Sequence, residues 1–85
     1  NFVAEVNLDQ IKTSRIFKWL HKKGISDNEM LKTFNCGVGF CLIINPKKLN
    51  KIKKYFTKSF EPYVIGKISK NFKDKVKLHG SINWI

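Results

Sequence analysis

The stretch from Glu29 to Ile44 changes its hydrophobic period midway, and this constrains the chain more than any other feature. Up to Phe34 the apolar residues Met30, Leu31 and Phe34 recur at helical spacing. From Val38 to Ile44 the sequence is apolar almost without interruption, with Gly37 and Gly39 as the only small breaks. A short apolar run bounded by turn residues predicts a buried strand. The expected path is a helix ending at Phe34 or Asn35, a turn through Cys36 and Gly37, and a central strand beginning at Val38. Glycines at such a handover allow positive φ and a close backbone approach.

Phe2 to Leu8 alternates imperfectly and predicts a first strand, followed by a polar connection from Asp9 to Ser14. Ser14 is placed to cap a helix running to about Lys23, with Ile16, Phe17, Trp19 and Leu20 on its apolar face and Gly24 just past its end. Ser26-Asp27-Asn28-Glu29 has the form of a capping box, and Ile25 can staple onto Met30. Asn45-Pro46 predicts the next helix start, with Leu49, Ile52 and Phe56 on one face and lysines over much of the rest. A strand is expected from Tyr63 to Ser69, a polar turn from Lys70 to Lys75, and a strand from Val76 to His79 that continues toward Trp84. Strands this close in sequence predict a hairpin. The order β-α-α-β-α-β-β implies one α+β domain over residues 1–85, its helices packed on one face of a largely antiparallel sheet.

At 85 residues, with seven Phe and two Trp, the chain can build a core, though one with a small stability margin. The formal net charge of +11 rests on 16 Lys and one Arg spread through every segment. Such a charge attracts polyanions non-specifically, whereas readers of nucleic-acid sequence combine Arg with aromatics on one surface. Cys36 and Cys41 have neither metal-site nor disulfide-framework spacing and read as reduced, packing thiols. These reduced thiols make a cytoplasmic setting the simplest expectation, and no apolar run of membrane-spanning length and no signal-peptide pattern is visible. The absence of an initiator Met fits a fragment or a processed chain and says little about compartment.

The string Lys32-Thr33-Phe34-Asn35-Cys36-Gly37-Val38-Gly39-Phe40 resembles the helix-to-strand signature in the C-terminal domain of phosphoribosylformylglycinamidine cyclo-ligases, or AIR synthetases. Similar segments flank it in the expected order: Ile16-Phe17-Lys18-Trp19-Leu20 upstream, and Tyr63-Val64-Ile65-Gly66-Lys67-Ile68 downstream. Lys32 departs from the pattern, which has arginine there, so a fork-shaped contact would be weakened. The chain is also several times shorter than the family enzyme and resembles its final piece. The resemblance implies purine biosynthesis: ring closure of formylglycinamidine ribonucleotide to aminoimidazole ribonucleotide, with ATP activating the amide oxygen. It also implies ATP and magnesium as cofactors of the complete enzyme, a nucleotide substrate, an N-terminal ATP-binding domain absent here, and a homodimer. The isolated chain is expected to bind neither cofactor and to be inactive.

The resemblance places residues 32–39 near the cleft facing the nucleotide-binding domain, which makes Lys32, Thr33, Asn35, Gly37 and Gly39 the candidate cleft-wall residues. Asn35 is the best polar candidate, because its amide both donates and accepts, although helix capping accounts for it equally well. Lys32 and Thr33 can reach a ligand phosphate or simply form a solvated helix end. The two glycines alone do not read as a phosphate cradle. Such loops run from strand into helix, where free N–H groups face the anion, and here the order is reversed. No catalytic or metal-binding arrangement is visible: His21 and His79 lack a partner at catalytic spacing, and the six carboxylates form no D-x-D or E-x-x-H pair. The alternative is a small basic module binding RNA or another polyanion, and a purely structural or regulatory domain is a third.

Overall fold

The computed structural model describes residues 1–70 and 73–85. Three strands and three helices follow one another as β1 (Phe2–Asn7), α1 (Arg15–Lys22), α2 (Asp27–Thr33), α3 (Leu49–Lys53), β2 (Gly66–Lys70) and β3 (Val76–His79). The class is α+β, as expected, but the sheet is mixed. Its order is β2-β1-β3, with β1 antiparallel to β2 and parallel to β3. The expected β2–β3 hairpin therefore does not form, because β1 lies between the two strands. Asn7 N–H donates to Ile65 O at 2.6 Å and Ala4 N–H to Lys75 O at 2.9 Å, extending the pairing on both sides of β1. The polar turn expected over 70–75 includes Asn71 and Phe72, which lie outside the described residues.

Local signals set the helices. Gly24 adopts φ +99° and donates to His21 O at 3.1 Å, closing α1 as expected. Ser14 has an extended cap conformation, but its backbone carbonyl, rather than its hydroxyl, receives the first N–H groups. At α2, Ser26 Oγ accepts from Glu29 N–H at 3.3 Å, so half of the capping box forms. The Glu29 carboxylate instead accepts from Thr33 Oγ1, one helical turn on. Asn45 Oδ1 caps Lys47 N–H at 3.0 Å with Pro46 in the first turn. The helix that follows is short, a 3-10 turn at Pro46–Lys48 and then α3.

The core sits past the end of β1. Leu8, Met30, Cys36, Ile82 and Trp84 are buried together, with Val6, Ile11, Phe17, Leu20, Ile25, Leu31 and Phe34 packed around them. Met30 and Ile25 share this cluster, as the staple requires. The helices thus cover the end of the sheet rather than a whole face: Ile68, Val76 and Leu78 on β2 and β3 stay exposed. The last strand stops at His79, where Gly80 (φ +71°) turns the chain and residues 81–85 return Ile82 and Trp84 to the core.

The central strand expected over 38–44 is absent. That segment runs without turn or bend but makes no ladder, and Phe40, Leu42 and Ile43 are 83%, 50% and 79% exposed. The physical reason lies in its composition. A run apolar on both faces gains little by joining a sheet edge whose faces are open to water, and both edges of β1 are already taken. Cys36 packs as expected, its Sγ 3.7 Å from both Met30 O and Phe34 O. Cys41 is exposed, against the expectation of two packing thiols.

Burial pushes the Cys36 thiol above its ordinary range, which suppresses the reactive thiolate. Under native conditions a thiol reagent should therefore modify Cys41 first, with Cys36 reacting at least about tenfold more slowly until the chain is unfolded. Mass spectrometry of the partly modified protein reads the order directly. Equal rates would mean that Cys36 is not enclosed.

Candidate functional site

The five residues singled out from the sequence occupy two consecutive local structures. Lys32 and Thr33 close α2, both exposed. The turn that follows is built by Asn35. Its Oδ1 accepts from Gly37 N–H at 2.9 Å, and its backbone carbonyl accepts from Val38 N–H at 3.0 Å. The two central residues, Cys36 and Gly37, have φ +54° and +101°. Positive φ at both positions is the mark of a type I′ turn. Asn35 is therefore a turn former rather than a helix cap, because α2 has already ended and Phe34 is extended.

Gly37 needs its missing side chain for two reasons. Its φ is left-handed, and an added Cβ would lie 3.2 Å from Lys12 O and 3.4 Å from Thr13 Cα. The turn thus rests on the polar connection leading into α1. Lys12 N–H donates to the Tyr63 hydroxyl at 3.0 Å, and Lys12 Nζ lies 4.6 Å from the Tyr63 ring centre. Thr13 Oγ1 is buried without a hydrogen-bond partner among the described residues. Lys12, Thr13 and Tyr63 join the candidate surface, and no sequence pattern signals the first two. Gly39, by contrast, has ordinary φ and open space where a Cβ would stand. It makes no close approach.

A second polar cluster crosses the whole sheet. Glu5 on β1 accepts from Ser69 Oγ on β2 and lies 3.1 Å from His79 Nε2 on β3. These bonds, Ser69 first and His79 second, hold the Glu5 carboxyl below its ordinary value. The carboxylate sits in the middle, so the hydroxyl has no imidazole to take its proton. This is a clamp across three strands and lacks the nucleophile–base pair of a triad. The third cluster lies at the C-terminal end of α1. His21 Nε2 is 2.6 Å from Asp27 Oδ1, and its ring stacks on Trp84 with centres 4.5 Å apart and planes within 6°. Both histidines thus link separate elements. Trp84 Nε1 is buried without a hydrogen-bond partner among the described residues.

Two shallow clefts border the C-terminal tail. One, of about 280 Å³, is lined by Leu8, Leu31, Ile82 and Trp84 among others; the other, of about 520 Å³, by Asp9, His21, Ser81 and Trp84 among others. Neither contains any of the five predicted residues.

Residues 1–79 match the family described as AIR synthase related protein, C-terminal domain. The chain belongs to that family. No solved structure matches it significantly. The family match stops at His79, short of Ile82 and Trp84, which contribute to this chain's core.

For this AIR synthase-related domain, the fit to a magnesium–nucleotide group can be judged from its donors. Glu5, Asp27, Glu29 and Glu61 are engaged with Ser69 and His79, His21, Thr33 and Lys53 respectively, and Asp9 accepts from Ser81 N–H. No three metal-binding side chains cluster among the described residues. The Gly37 and Val38 N–H groups are spent inside their own turn. These residues do not fit the group on their own.

Two expectations follow from the geometry. Gly37→Val should lower stability by more than ~1 kcal/mol through left-handed strain and contact with Lys12, whereas Gly39→Ala should stay within about 0.5 kcal/mol of the parent. Denaturant titration compares the two, and equal effects would refute the distinction. Glu5 provides a pH signature. A depressed folded-state pKa contributes stability above the unfolded carboxylate value, which is lost as pH falls through the folded value. Thermal midpoints measured from neutral to acid pH should therefore fall more steeply for the parent than for Glu5→Gln. Parallel curves would remove Glu5 from the clamp.

Proposed function

We propose that this chain is the C-terminal part of a phosphoribosylformylglycinamidine cyclo-ligase, acting in purine biosynthesis as one wall of a cleft whose nucleotide and magnesium are held by an N-terminal domain. Family membership supports the general reading. What favours the cyclo-ligase over other AIR synthase-related proteins is the continuous string Lys32 to Phe40, whose Asn35–Gly37 turn is the best-defined polar feature among the predicted residues. With Oδ1 committed to Gly37 N–H, the Asn35 amide nitrogen has no partner among the described residues and can donate to a substrate. Lys32 and Thr33 stand beside it as secondary contacts. Gly37 and Gly39 shape the backbone. The complete enzyme is a cytoplasmic homodimer in this reading, and the isolated chain is inactive. No helix among the described residues is long and apolar enough to cross a membrane.

A weaker second reading, non-specific polyanion binding, draws on one observation. Lys47, Lys48, Lys51, Lys54 and Lys58 are exposed, and so are Tyr55 and Phe60 in the same stretch of sequence. Lysine supplies charge without base-reading geometry, so such binding would be salt-sensitive and indifferent to sequence.

The cyclo-ligase reading is tested at Asn35 in the complete enzyme. Asn35→Asp keeps the oxygen that accepts from Gly37 N–H but removes the donor. Turnover should fall by at least about tenfold, one hydrogen bond's worth, with little change in thermal midpoint. Activity that only tracks the folded fraction would make Asn35 architectural and leave the cleft wall without an identified contact.

A further inference from the structure

The turn built by Asn35 is anchored at two places. At its start, Phe34 N–H donates to Met30 O at 3.0 Å and ties the turn to α2. On its far side, the Gly37 backbone lies against the connection into α1, with Lys12 O 3.2 Å from where a Cβ would stand. The first anchor belongs to the helix. The second is only as fixed as residues 11–14 are.

That connection has little of its own to hold it. Ile11 N–H bonds to Leu8 O, and the Ser14 carbonyl receives the first N–H groups of α1. Between them, Thr13 Oγ1 has no hydrogen-bond partner among the described residues. The one described side chain that bonds to the backbone of residues 11–14 is Tyr63, 51 positions away in sequence. Its hydroxyl accepts from Lys12 N–H at 3.0 Å, and Lys12 Nζ lies 4.6 Å from its ring centre, within cation–π range. A single side chain thus grips Lys12 by its backbone and by its ammonium group. Tyr63 is in turn referred to the sheet, because two residues further on Ile65 O accepts from Asn7 N–H at the end of β1. Sheet, Tyr63, Lys12 and Gly37 form one contiguous run of contacts, and the unbonded amide nitrogen of Asn35 stands at its end.

We propose that Tyr63 is a positioning residue for this turn: acting through Lys12, its hydroxyl sets where the Asn35 amide meets a nucleotide substrate. The functional half of the proposal rests on the cyclo-ligase reading, and the mechanical half does not. Tyr63 itself touches no substrate. Its leverage comes from geometry, since a small displacement of a substrate-binding group costs more rate than its own loss of contact suggests.

Tyr63→Phe removes the acceptor and keeps the ring beneath Lys12. The first readout is amide hydrogen exchange by NMR in the 85-residue protein. Exchange should quicken about threefold or more at Lys12 and at Gly37, and stay unchanged at Phe34, whose N–H belongs to α2. Quickening at Lys12 alone would mean that the grip does not reach the turn. Equal quickening at all three would mean general loosening, and either result overturns the proposal. The second readout is a double-mutant cycle with Asn35→Asp in the complete enzyme. Tyr63→Phe alone should lower turnover about three- to tenfold. In the Asn35→Asp background it should cost less than about twofold, because the donor through which it acts is already gone. Losses that simply multiply would make Tyr63 structural, and full activity in Tyr63→Phe would deny it any role; both overturn the positioning. Unchanged turnover in Asn35→Asp would instead defeat the cyclo-ligase reading of the turn and take the positioning role with it, even where the exchange pattern is as expected.

Discussion

Every part of this structure depends on β1 being shared. Its residues pair with β2 along one edge and with β3 along the other, and neither outer strand has another neighbour among the described residues. The pairing closes loops of about sixty and seventy residues, whose entropic cost grows only slowly with length. What holds them closed is concentrated in a few places. Val3 is fully buried within β1, the Glu5 carboxylate ties both neighbours to it, and Leu8 carries the chain straight into the core. The helices then need only cover that end of the sheet.

The sequence was legible wherever the determining interactions are local. Gly24, the Ser26 cap and the Asn45-Pro46 start all act within four residues, and all three stand where their chemistry predicts. Strand existence was legible for β1, β2 and β3, but their order was not. Alternation reports which side of a strand is apolar and carries no information about which strand lies beside it. The hairpin expectation failed for that reason. The run over 38–44 is the instructive case: its composition correctly signals a need for burial, while a chain of this content supplies nothing to bury it. Within the candidate site, Gly37's left-handed backbone was readable from its place after a helix. Thr13 was not, because its position against the turn arises from tertiary packing.

The functional picture has the same division. Family membership is a property of most of the chain, whereas the chemistry proposed for it rests on one turn with one free amide. That turn is stiff. Two left-handed residues, a side-chain bond from Asn35 and backbone contact with Lys12 fix its shape before anything binds, which is what a substrate-positioning element needs. The lysine-rich middle segment beyond it differs in character, with a short helix and exposed aromatics. The core draws its residues from both sides of that segment, which itself presents surface.

The central place of β1 also has a consequence for biosynthesis. A ribosome makes the middle strand of this sheet first and both of its neighbours last, with about sixty residues separating Asn7 from Gly66. At ~5–20 residues per second, that interval amounts to roughly 3–12 s. Through it, Phe2, Val3 and Val6 must wait as an apolar strand with two open edges. Translation speed across the lysine-rich middle of the message therefore sets how long the nascent chain carries this strand without its neighbours.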